Sequence, residues 1–151
     1  MPWSKTRKVL RSFMCESMRK RVDVHVTSYR AIDAGCGRAW FTLDGEEIAG
    51  VFDCDYCRET IAAKREDRKP DYAGIVTRHE FFGAIGSYLR QPIEDSLASD
   101  NPWVLAFAAL DRRVGKRRLT KLVVRDDLPK PAQTLLRERA HVLGIDSRMN
   151  Q

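Results

Sequence analysis

Arg38-Ala39-Trp40-Phe41-Thr42-Leu43-Asp44-Gly45-Glu46-Glu47-Ile48-Ala49-Gly50-Val51-Phe52-Asp53 is the stretch on which the fold turns. Two strand-like runs, Arg38–Leu43 and Glu46–Asp53, flank Asp44-Gly45. An Asp-Gly pair supplies the two positive φ angles that a type I′ hairpin turn needs. With a two-residue loop, paired residues sum to 89. Phe41 then faces Ile48, Ala39 faces Gly50 and Gly37 faces Phe52. One sheet face collects Phe41, Leu43, Ile48 and Phe52. The other carries Trp40, Ala49 and Val51, a partly apolar surface that wants a cover from the N-terminal helix or from another subunit.

Upstream, residues 22–30 alternate: Val22, Val24 and Val26 point one way, Asp23, His25 and Thr27 the other. Period-2 alternation predicts a half-buried strand, so residues 22–53 form a three-stranded antiparallel meander. Further upstream, Leu10, Phe13, Met14 and Met18 make one apolar stripe at helical spacing, predicting a helix over 4–20 with Ser4 as its cap.

Downstream, the period changes. Tyr56–Arg65 reads as a short helix and Lys64–Asp71 as a charged loop. Thr77 and Glu80 sit three apart, as in a capping box, ahead of Phe81, Phe82, Ile85, Tyr88 and Leu89. Pro92 ends or kinks that helix. Ser99-Asp100-Asn101-Pro102 is a start signal, a capping side chain followed by proline. Trp103–Leu110 is apolar all round and predicts a buried central helix. Arg112 and Arg113 fall in its last turn, and Gly115 is its stop. Lys116–Val124 reads as helix or strand, with Leu119, Leu122 and Val123 fitting helical spacing better. Pro131–Leu143 is a final helix ending at Gly144. The expectation is an α+β domain over 1–151: an N-terminal helix, a meander, and a helical C-terminal half packed on one sheet face.

The chain has 151 residues, 43% hydrophobic and 32% charged, with net charge +6. Such a length suits one domain and buries about 68–70% of its unfolded surface without a metal or disulfide staple. No apolar run reaches membrane-spanning length, and no apolar stretch follows the basic N-terminus as in a secretory signal. The Arg-rich start has some mitochondrial-presequence character but runs straight into a strand pattern. Four cysteines are too sparse for a disulfide framework, so reduced thiols and a cytoplasmic setting are expected.

Charge is uneven. Residues 1–21 hold seven basic residues against Glu16, and residues 44–59 hold six acidic residues against Arg58. A second basic cluster comprises Arg112, Arg113, Lys116, Arg117, Arg118 and Lys121. Clustered Lys and Arg bind phosphate by counterion release, which makes these six candidate nucleic-acid contacts. No helix-turn-helix, zinc-finger or RRM pattern accompanies them, and the plain alternative is a solvated face. Opposed charges also let one copy pair with another.

Cys54 and Cys57 form a C-x-x-C pair, and the hairpin register places Cys36 beside Cys54. Three thiolates at one sheet end resemble part of a zinc site without an evident fourth ligand. A redox role needs a βαβ context that the meander lacks, and Asp53, Asp55 and Glu59 oppose thiolate formation. Incidental thiols are the simpler reading. For catalysis, His25, His79 and His141 are the only histidines. No nucleophile-elbow, zincin or P-loop pattern is present. The expected role is therefore a non-enzymatic, self-associating accessory protein that acts by binding. Nucleic-acid binding and a zinc or thiol site are the alternatives.

Two segments, Ser96-Leu97-Ala98-Ser99-Asp100-Asn101-Pro102 and Leu110-Asp111-Arg112-Arg113-Val114-Gly115-Lys116-Arg117 with Leu119, resemble small uncharacterised bacterial proteins. So does Arg7-Lys8-Val9-Leu10-Arg11-Ser12-Phe13-Met14. The resemblance covers about a quarter of the chain and implies a bacterial, cytoplasmic, single-domain protein without assigned activity.

Overall fold

A computed structural model describes residues 2–28, 37–52 and 78–145. The fold is α+β, in the order α1 (Trp3–Phe13), α2 (Glu16–Arg19), β1 (Val22–Ser28), β2 (Gly37–Leu43), β3 (Glu46–Phe52), α3 (Arg78–Arg90), α4 (Ile93–Leu97), α5 (Pro102–Leu110), α6 (Lys116–Val123) and α7 (Lys130–Val142). The chain divides into two compact units, residues 21–83 and residues 1–20 with 84–151. The readings of Tyr56–Arg65, Lys64–Asp71, Thr77 and the tail after Ile145 lie outside the described residues. Among the described residues no helix is long and apolar enough to cross a membrane.

The 21–83 unit contains the antiparallel sheet β1-β2-β3. Asp44 (φ +52°) and Gly45 (φ +83°) make the expected turn, and the Arg21 guanidinium grips the Asp44 carboxylate at 2.6 Å. The register departs from the arithmetic. Leu43↔Glu46 and Thr42↔Glu47 sum to 89, but the next pair is Phe41↔Ala49. Ile48 is an extra residue on β3, a bulge that slips every later pair by one. Ala39 therefore meets Val51, and Phe52 meets Arg38 rather than Gly37. The buried face is Ala39, Phe41, Ala49 and Val51, with Val22 and Val24 from β1. Leu43 and Ile48 are half-buried instead. Ala49 and Val51 leave the Trp40 face, so the expected partly apolar outer surface does not form. The Phe81 ring stands edge-on to Phe41, with centroids 6.3 Å apart.

The other unit is helical. The predicted 4–20 helix is two helices, and Pro2 rather than Ser4 precedes the first. Met14 and Cys15 are extended because the backbone pairs there with a distant segment. Met14 bridges Asp111 antiparallel; the Cys15 amide donates to Leu110 O at 2.7 Å and the Arg112 amide to Phe13 O at 2.8 Å. The stripe still points inward: Leu10, Met14 and Met18 are buried. At α5, Asn101 Oδ1 accepts from the Trp103 and Val104 amides, and every residue from Trp103 to Leu110 is buried. Pro92 precedes α4. The segment 116–123 is helical, and Gly144 ends α7 at φ +70°.

Candidate functional site

The segment Asp111–Gly115, between α5 and α6, organises the helical unit. Helix α5 stops at Leu110, with Asp111 extended as its C-cap. Arg112 and Arg113 therefore lie beyond the helix, not in its last turn. Gly115 is the N-cap of α6 rather than the stop of α5.

Asp111 is fully buried and collects four donors. The Tyr88 hydroxyl donates to Oδ2 at 2.5 Å and the Arg113 amide to Oδ1 at 2.8 Å. The Arg113 guanidinium forks onto both oxygens at 3.0 and 2.7 Å. Burial works to raise this carboxyl, but the bonds from Arg113 and Tyr88 outweigh it and hold the group below the ordinary carboxylate range. Burial first, then the bond to Asp111, pushes the Tyr88 phenol far above its usual value.

On the opposite side, Arg139 of α7 is buried and donates to three carbonyls: Ala109 (2.8 Å), Asp111 (3.0 Å) and Val114 (2.6 Å). Side chains thus satisfy the backbone acceptors that the chain reversal leaves unpaired.

This frame presents the six predicted basic residues, and all six are exposed. Two are occupied. Arg113 binds Asp111, and Arg118 binds Glu94 at 2.8 Å, which lowers the Glu94 carboxyl. Arg112, Lys116, Arg117 and Lys121 make no ion pair among the described residues. Lys116, Arg117 and Arg118 also occupy the first turn of α6, which has no acidic residue and no side-chain cap. Cations there oppose the helix dipole. Leu119 and Val123, both buried, hold the helix instead. The Met14–Asp111 bridge further brings the N-terminal basic segment to this place, with Phe13 hydrogen-bonded to Arg112 and its ring beneath the Arg113 guanidinium at 5.1 Å. Lys5 and Lys8 of α1 are exposed.

Cys36, Cys54 and Cys57 lie outside the described residues. Cys15 is free and buried. Among the described residues, no group of three or more His, Cys, Asp and Glu is arranged to hold a metal.

A cluster that the sequence did not indicate lies on the Trp40 face of the sheet. His25 stacks on Trp40 with centroids 5.0 Å apart, and its Nε2 is 3.0 Å from Thr42 Oγ1. The Arg38 guanidinium covers the Trp40 ring at 3.8 Å and pairs with Glu47 at 2.9 Å. Both charged side chains are about 5% exposed. Their contact passes over Gly50, where a Cβ would come within 3.1 Å of Glu47 Oε1 and of Ala39 O. The two charges compensate each other within the sheet face.

No curated protein and no solved structure matches the chain. The family model of the SF0329 protein family matches residues 2–139. That span takes in α1, the sheet, the Asp111 hub, α6 and Arg139, and on it the chain belongs to the SF0329 protein family.

Proposed function

We propose that this protein acts by binding rather than catalysis, and that the cationic surface around α6 engages the phosphate backbone of nucleic acid. One observation carries the reading: the Met14–Asp111 bridge joins two basic segments almost a hundred residues apart. Supporting it, four exposed cations at the junction have no acidic partner among the described residues, and three basic residues stand at a helix end where they oppose the dipole. Base-reading motifs are missing from the sequence, so the contact is to phosphate and is largely indifferent to base order. A bacterial, cytoplasmic setting goes with this reading.

The test is fluorescence anisotropy with labelled single-stranded and duplex oligonucleotides across a salt series. Four phosphate contacts give a log–log slope of about −3 to −4 on duplex. Absent binding, or binding insensitive to salt, contradicts the proposal.

A further inference from the structure

We infer that two copies of this chain pair about a two-fold axis, the outer ridge of α6 in each copy seated in an acidic groove of the other. Arg117, Lys121 and Val124 are spaced i, i+4 and i+7, so they line one outward stripe. All three are exposed, Val124 at 42%. The ridge is therefore two cations ending in an apolar side chain.

The groove, about 550 Å³, runs beside α6, which contributes Leu122, and is otherwise lined from residues 94–105 and 125–129. Leu97, Leu122 and Leu128 form its floor, and Glu94, Asp100 and Asp127 stand at its rim. Arg118 and Arg125 hold Glu94 and Asp127, while Asp100 makes no ion pair among the described residues. Asp95 and Asp126 adjoin the rim in sequence and are exposed. The rim is an acidic island in a unit whose composition is strongly basic.

An apolar floor with an acidic rim calls for an apolar anchor flanked by cations, which is what the ridge offers. The ridge cannot enter its own groove, because Leu122, which lines the groove, lies on α6 between Lys121 and Val124 of the ridge. A second copy can, and in a two-fold arrangement each copy gives its ridge and receives the other's, an isologous dimer. Lys121 of each copy then faces Asp100 of the other.

This inference does not rest on nucleic-acid binding and is tested without nucleic acid; because Arg117 and Lys121 serve both, a second copy and a polyanion compete for α6. Sedimentation velocity is run from about 1 to 200 μM at low and high salt. The wild type goes from 17.3 kDa toward twice that mass, and salt weakens the association. Lys121→Glu and Asp100→Lys each sediment as monomers, because like charges then meet at both contacts. Mixed one to one they dimerise, because every contact again joins opposite charges. A wild type that stays monomeric throughout overturns the inference. So do single variants that dimerise like the wild type, or a mixture no more associated than its components.

Discussion

Helices α5 and α6 are consecutive and nearly equal in length, yet they are built on opposite terms. From Trp103 to Leu110, α5 buries every side chain and has a full N-cap in Asn101. Helix α6 buries Leu119 and Val123, lacks a side-chain cap and begins with three cations. The first helix is shaped by the interior. The second is held by two apolar residues and by the buried hub before it, and its remaining positions display charge at some cost in helix stability. That contrast argues that the surface of α6 serves a partner, since stability alone favours acidic residues at those sites.

The hub is what lets the two helices differ, so its removal has the largest effect. Arg139→Met leaves the carbonyls of Ala109, Asp111 and Val114 without their donor. We expect a loss of about 3–5 kcal/mol, read by urea unfolding. Asp111→Asn loses the Arg113 fork while the Tyr88 bond survives, and costs about 2–3 kcal/mol on the same assay. The sign of the acid dependence follows from the lowered Asp111 carboxyl. Its contribution is complete above the unfolded value of about 3.9 and is lost as pH falls through the folded value beneath it. The raised Tyr88 phenol acts oppositely. Its contribution is present below about pH 10 and declines as pH rises from there toward the folded value. In the Asp111→Asn variant the acid dependence should flatten.

Smaller substitutions sharpen the comparison at the helix starts. Asn101→Ala removes the cap of α5 and costs about 1 kcal/mol in thermal or chemical unfolding. Lys116→Glu at the start of α6 should go the other way, adding about 0.3–1 kcal/mol at low salt while weakening oligonucleotide binding. If Lys116→Glu instead destabilises the protein, α6 is not an exposed helix held against its dipole.

Much of the architecture was legible because its signals are local. Asp44-Gly45 demands positive φ, and Asn101-Pro102 combines a cap with a proline that fits only the first helical turn. The bulge at Ile48 had no such mark. Ala49 and Val51 suit either face, and only packing chooses between them. The break at Met14–Cys15 was hidden for a similar reason: Leu10, Met14 and Met18 keep helical spacing across it, and the force that opens the helix is a bridge to Asp111, far along the chain. The six cations of the candidate site were legible as residue types. Which of them are neutralised was not, because the partners Asp111 and Glu94 come from tertiary structure. The Arg38–Glu47 pair was equally invisible, since it needs Gly50 to stand bare between them.

What matters most is whether α6 and the segment leading into it form a phosphate-binding surface. The direct measurement is the salt slope of duplex binding for the wild type against the triple variant Arg112→Ala, Lys116→Ala, Arg117→Ala, with unfolding followed in parallel. If they do, the slope is shallower by about 3 in the variant, with stability equal to or above that of the wild type. An unchanged slope in a folded triple variant would contradict it.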